Sequence, residues 1–276
     1  MHTRNLILPS VTLENIPFLW AKNDILIFFI DMNSYDSPGT EFLDNHEKEN
    51  LEKLQTLYFK KRFIVSRTVL KHILCCLLNK ESSLNISTYK DRHGEVRVFK
   101  HDDLHICISY SENIAAIAIS RVKIGIDIEI KRPFELKKTL KYLHNTPFYS
   151  GKPVDDVGIL KAWTLKEAYC KYSNIDMLSS LNKKPGLDNV SYFNFLLNGK
   201  YILSIVTEMG QHIFNLSYLD LSYLDLSYLD LSCLDLSCLD LSCLDLSCLD
   251  LSCLEKINSY QGEAVWKTTE NLSKQE

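Results

Sequence analysis

The sequence predicts an α+β protein of two similar lobes, divided near Ser120, followed by a repetitive appendage. Three observations predict it. The elements run strand, long helix, strands, and then strand, helix, strands, the order of a segregated α+β chain. The run VKIGIDIEI alternates β-branched residues with Gly125, Asp127 and Glu129, which reads as a strand with one face in a core. After residue 215 the unit L-S-[Y/C]-L-[D/E] recurs eight times, which sets a separate segment apart. The expected divisions are 1–120, 121–215, the repeat tract 216–255 and a tail 256–276.

In order, DILIFFID (24–31) reads as a strand and 33–40 as a turn-rich loop. From 41 to 79 apolar residues recur three and four apart, a helical pattern with a basic cluster at Lys60, Lys61 and Arg62. ISTYK, VRVF, LHICISY and IAAIAIS read as short strands, with a turn at 91–94. The GIDIE strand follows. A helix is expected over 131–143, a loop over 145–158 and an amphipathic helix over 159–172. SYFNFLL and KYILSIVTE flank Asn198-Gly199, the signal of a type I′ hairpin.

The composition is globular: 276 residues, 46% hydrophobic and 24% charged. No long apolar segment opens the chain and none is long enough to span a bilayer, so a cytoplasmic protein with no membrane role is expected. Of nine cysteines, five lie in the repeat and no C-x-x-C pair occurs. Neither a disulfide framework nor zinc is therefore indicated. The net charge of −4 hides an asymmetry, because the repeat carries eight acids and no base. Outside it 27 acids face 31 bases. This mild basicity suits a phosphorylated ligand or an acidic protein partner and is too weak to indicate nucleic acid.

The five-residue period suits neither a helix, round which its leucines would spread, nor one continuous flat strand, whose faces an odd period exchanges at every unit. A solenoid turning once per unit keeps both leucines inside, as in pentapeptide-repeat proteins, which the tract resembles. It reads as an appendage without catalytic role, loosely ordered or solenoid-like, or else as a partner-binding module.

Two like charges on one strand face, roughly 7 Å apart by the rise of an extended chain, need a cation between them. Thirty-four residues after Glu129 begins WTLKEAYCK (163–171). On a helix Trp163, Glu167 and Lys171 lie along one face, with Lys166 slightly round the cylinder. Asp127, Glu129 and Glu167 facing one another would make a hard-oxygen site for Mg²⁺, with a lysine one turn away for phosphate. Each motif alone also has a plain reading: Glu167 and Lys171 as a surface i,i+4 pair, and the strand carboxylates as a solvated face.

In this order and spacing, GIDIE and WTLKEAYCK resemble the signature G-[I/V]-D-x-E and W-[S/T]-x-K-E-[A/S]-x-x-K of the 4′-phosphopantetheinyl transferases. RFIVSRTVLKHIL (62–74) and LHICISYSENIAAIAIS (104–120) are similar to the family's upstream segments, so the likeness covers roughly 25–207. It implies the two-lobed, pseudo-twofold fold with an active site between the lobes, in a monomer. It implies Mg²⁺ on Asp127, Glu129 and Glu167. It also implies transfer of 4′-phosphopantetheine from coenzyme A to a serine of an apo acyl or peptidyl carrier protein, releasing adenosine 3′,5′-bisphosphate. Glu167 and Lys171 would be catalytic, Glu167 towards the serine proton and Lys171 on phosphate, with Lys166 a second candidate. Trp163 would be a packing residue that fixes the helix against the strand. Arg62, Arg67 and Lys71 are candidates for the nucleotide phosphate, though each also reads as a helix-surface base. Ser109-Tyr110-Ser111 stands where the family has S-H-S, so Ser109 and Tyr110 are expected at the ligand. Gly94-Glu95-Val96 stands where the family has G-K-P, with Arg92 or His93 as substitute cations. These departures leave a second reading open, a weakened relative that binds coenzyme A or carrier protein without turnover.

Overall fold

The computed structural model describes residues 5–34, 39–92, 94–131, 143, 155–177 and 186–220. The chain is α+β, with two sheets. Its strands are β1 (Asn5–Leu6), β2 (Ser10–Val11), β3 (Ile25–Asp31), β4 (Thr88–Lys90), β5 (Val96–Val98) and β6 (His105–Ser111). They continue with β7 (Ile114–Ser120), β8 (Ile124–Ile130), β9 (Val190–Leu197), β10 (Tyr201–Glu208) and β11 (Phe214–Leu219). The helices are α1 (Ile16–Lys22), α2 (Asn45–Glu52), α3 (Leu57–Leu77) and α4 (Asp156–Ser173). A seven-stranded sheet runs β2-β11-β3-β7-β6-β5-β4, and a four-stranded sheet runs β1-β9-β10-β8.

The layering follows from the strand patterns. In β3, Leu26, Phe28 and Ile30 pack with Val69, Leu70 and Ile73 of α3. The alternate residues Ile25, Ile27 and Phe29 pack with Ile126, Ile128, Leu203 and Ile205 of the smaller sheet. The larger sheet is thus buried on both faces, and the order of layers is α3, seven strands, four strands, α4. In β8 the isoleucines face the other sheet, while Gly125, Asp127 and Glu129 face away from it. That second face is not solvated: α4 covers it, and Asp127 is 2% exposed. A Cβ on Gly125 would lie 2.1 Å from the carbonyl oxygen of Ala168 and 2.5 Å from the nitrogen of Tyr172. Only glycine lets the helix sit this close.

Several expectations need correcting. The helical stretch 41–79 is two helices. Asp44 caps α2 in a reciprocal capping box with Glu47, and Thr56 opens α3 by accepting a hydrogen bond from the Phe59 amide at 3.2 Å. The last helix begins earlier than expected, at Asp156, where the Asp155 carboxylate accepts from the Gly158 amide at 2.9 Å. The division near Ser120 is crossed twice. β1 pairs in parallel with β9 in the sheet of the second half, and β11 pairs in parallel with β3 in the sheet of the first. The first repeat unit, 216–220, is therefore no appendage. One unit taken alone alternates like any strand, with Leu216 and Tyr218 towards the smaller sheet and Leu219 towards the α3 side. The other repeat copies, the expected helix over 131–143 except Leu143, and the tail 256–276 lie outside the described residues. The hairpin is as expected, with positive φ at both Asn198 (49°) and Gly199 (67°). No helix among the described residues is long and apolar enough to cross a membrane.

Two predictions follow from this packing. Gly125→Ala should destabilise the protein by about 1–3 kcal/mol or more in urea unfolding, because the new methyl meets backbone that cannot rotate away. The second concerns His72 on α3, whose ring meets that of Phe42 edge-on at 4.7 Å and whose pKa burial lowers to about 4. The unfolded chain takes up this proton near pH 6.5, whereas the folded chain refuses it until about 4. Stability present above pH 6.5 should thus fall as pH drops to 4, by up to about 3 kcal/mol at roughly 1.4 kcal/mol per unit. His72→Gln should flatten that part of the urea-stability curve.

Candidate active site

β6 is paired with β7 along its whole length, but with β5 only where Val96 meets Ile106. Beyond that pair its open edge borders a cleft of about 620 Å³. One wall carries Phe63, Arg67 and Tyr110 on the α3 side, and the other carries Glu167, Cys170 and Lys171 of α4. Lys90, Arg92 and Glu95 line it from the β4–β5 hairpin.

At the α4 wall, Lys171 Nζ donates to Asp127 Oδ1 at 2.8 Å and to Ser109 Oγ at 2.9 Å. The Ser109 hydroxyl in turn donates to Asp127 Oδ1 at 2.7 Å. Asp127 Oδ2 is buried and receives no N–H or hydroxyl, and the Asp127 carboxylate shares a hydrogen bond with the Glu167 carboxyl. The Ser111 hydroxyl donates to Glu129 Oε2 at 3.1 Å. Glu167 feels both acids. Burial, then the Asp127 carboxylate, then Glu129 among smaller effects push its pKa up to about 8. Burial alone would lower the pKa of Lys171, but Asp127, Cys107 and Glu167 outweigh it and hold the ammonium above its ordinary value. A third of the Lys171 side chain stays exposed to the cleft. Among the described residues no three His, Cys, Asp or Glu side chains are grouped as ready metal ligands. The three carboxylates are near neighbours with different attachments: Asp127 Oδ1 faces Lys171, and Glu129 Oε2 faces Ser111.

At the opposite wall Arg67 is 4% exposed, and its Nη1 donates to Thr88 Oγ1 at 3.3 Å. Burial lowers its pKa. Burial and then the Arg67 charge lower that of Lys90. Two cations thus share one end of the cleft. Lys90 was not singled out from the sequence. The only signal was its place as the last residue of a strand entering the 91–94 turn.

The other expected residues divide. Tyr110 lines the cleft, with its hydroxyl 2.6 Å from Ser66 Oγ. Ser109 does not line it; its hydroxyl is spent on Asp127 and Lys171. Arg62 lies over the Tyr110 ring, 4.2 Å from its centre, and is not a lining residue. Lys166 is buried, at 1% exposure, and is not a lining residue. Arg92 lines the cleft, and His93 is outside the described residues. Trp163 is a packing residue, but among the described residues its cluster is Leu143, Ile159 and Ala162 and contains no residue of β8. Glu95 accepts from Arg97 at 2.8 Å and from the Asn174 amide at 3.0 Å, so it ties the hairpin to the end of α4.

Lys71 is a correction. It does not reach the cleft: its ammonium is 2.6 Å from Glu47 Oε2 and 3.5 Å from Asp44, and it donates to the Phe42 carbonyl at 2.8 Å. Glu47 also accepts from the Thr88 hydroxyl, which in turn receives Arg67. Glu47→Ala would leave Lys71 buried beside a missing partner and release Thr88. It should cost about 3–5 kcal/mol in urea unfolding.

Compared with known proteins, the chain matches no family model, and no curated protein matches it significantly.

Proposed function

We propose that the protein transfers 4′-phosphopantetheine from coenzyme A to a serine of an apo acyl or peptidyl carrier protein, with Mg²⁺. The observation that carries this reading is one cleft with paired cations, Arg67 and Lys90, at one wall and the Asp127, Glu129, Glu167 and Lys171 set at the other. A ligand with phosphates at two separated points suits such a cleft. One helix on the outer face of each sheet, with the cleft opening between α3 and α4, also supports the two-lobed architecture that the sequence motifs imply.

The acids suit the metal. Asp127 and Glu167 are buried carboxyls held together, and Glu129 adds to the crowding, so a divalent cation would relieve them. The donors are hard oxygens, as Mg²⁺ prefers. Asp127, Glu129 and Glu167 would hold it, where it would draw charge from the pyrophosphate. Arg67 and Lys90 bind the distant phosphate of the nucleotide. Lys171, which lines the cleft, offers its ammonium to the pyrophosphate. Glu167, once ionised, takes the proton from the serine hydroxyl. The serine oxygen then forms a bond to the β-phosphorus, and the bond from that phosphorus to the leaving bisphosphate breaks. A specific observation favours a binding-only relative as the second reading. Glu95, held ionised by its neighbours although burial opposes this, places negative charge in a cleft meant for phosphate.

The test incubates the protein with coenzyme A, Mg²⁺ and a panel of apo carrier proteins and measures their intact mass. A gain of one phosphopantetheine is expected, and Asp127→Asn should abolish it in a protein that stays folded by circular dichroism. Arg67→Ala should raise KM for coenzyme A on the order of tenfold or more, since a hydrogen bond to a charged group is worth about 1.5–3 kcal/mol. Folded protein that modifies no carrier sinks the transferase reading. Calorimetric binding of coenzyme A without product would support the second.

A further inference from the structure

The first turn of α3 is built against the usual rules. Leu57, Tyr58 and Phe59 are 86%, 46% and 49% exposed, three large apolar residues in a row in water. Lys60, Lys61 and Arg62 follow, and the turn holds no acid. Cations at a helix N-terminus oppose its dipole, and consecutive exposed apolar residues cost solubility. Neither choice helps the fold, and local rules are broken most often where a surface has work to do. The patch is also fixed in place. Thr56 caps it, and the Tyr58 hydroxyl donates to the Glu112 carbonyl at 2.8 Å, pinning it to the β6–β7 turn.

The patch is continuous with the cleft. The Arg62 guanidinium lies 4.2 Å from the centre of the Tyr110 ring, and Tyr110 lines the cleft. The next residue, Ser111, holds Glu129. A serine approaching the carboxylates would bring its own protein against this corner.

We propose that the start of α3 is the docking surface for the acceptor protein. Its partner presents an apolar contact ringed by acids, which covers the exposed start of the helix: Leu57 with Lys60 and Lys61 on one side, and the Tyr58–Phe59 pair with Arg62 on the other. The occupant follows from charge complementarity and from the excess of bases over acids in the chain outside the repeat. The inference rests on the transferase reading and adds to it the place where the second substrate binds.

The test compares wild type with Lys60→Glu/Lys61→Glu and with Leu57→Ser. Replacing cations near a helix N-terminus by acids suits the dipole, so the double variant should fold at least as well as wild type. With an apo acyl carrier protein, KM for the carrier should rise tenfold or more in the double variant. KM for coenzyme A should stay within twofold. Added salt should weaken wild-type carrier binding, measured by calorimetry, more than that of the variant. Transfer with an unchanged carrier KM in both variants overturns the docking surface and leaves the transferase reading standing. Carrier binding that the variants lose, without transfer by wild type, supports the surface and overturns turnover. No transfer and no carrier binding by wild type overturns both. Binding to vesicles of phosphatidylcholine and phosphatidylglycerol that the variants lose, with carrier KM unchanged, assigns the patch to a membrane and overturns the proposal.

Discussion

The two sheets meet along a row of three hydrogen bonds, and the candidate site depends on that row. The amides of Ile126, Ile128 and Ile130 donate to Cys107 Sγ, Ser109 Oγ and Ser111 Oγ at 3.3, 3.3 and 2.8 Å. β8 is the edge of its sheet, so these N–H groups have no neighbouring strand. Buried backbone donors without partners are costly, and an open strand edge is a liability. Side chains of β6 satisfy them instead. The spacing of two residues on each strand fixes the register, which brings Ser109 to Asp127 and Ser111 to Glu129. A slip of one residue would turn both carboxylates into the apolar core between the sheets.

Electrostatics then builds on that register. Asp127 is buried, and its nearest cation is Lys171, delivered by α4 from 44 residues along the chain. The helix can come this close only because position 125 has no side chain. The same approach buries Glu167 against Asp127, and burial first and then that carboxylate push its pKa up to about 8. Glycine, aspartate, glutamate and lysine thus serve one arrangement. The cost of gathering three acids around one ammonium is set against a position where incoming positive or phosphate charge would be strongly felt.

What could be read from the sequence was local. The alternation of VKIGIDIEI, the Asn198-Gly199 turn and the four-residue spacing of Trp163, Glu167 and Lys171 each state a period that the backbone obeys. What could not be read was pairing across the chain. Lys71 looks like any helix-surface base until Glu47 is seen beside it, brought there by a helix that a four-residue break separates from α3. Ser109 reads as a ligand contact only from its place in the Ser109-Tyr110-Ser111 motif. Only the position of β8 shows that its hydroxyl is already engaged. Lys90 had no periodicity to mark it, since its meaning comes from Arg67, 23 residues earlier.

The repeat gives the sharpest case of context deciding structure. The unit LSYLD at 216–220 is followed by two identical copies, so those five letters cannot by themselves select which copy joins the sheet. The two residues before the first copy can. Phe214 packs edge-on against Phe193 of the smaller sheet, with ring centres 5.0 Å apart, and the Ser217 hydroxyl donates to the Asn215 side chain at 3.1 Å. Each later copy is preceded by leucine and aspartate instead. Shifting the chain by one unit would exchange the buried ring for a smaller side chain and the buried amide for a carboxylate. The amide at 215 is 7% exposed, and a carboxylate there would need a cation that Ser217 cannot supply. The strand is therefore held in place from its upstream end, where the sequence is still unique, and identity among the copies does not loosen it.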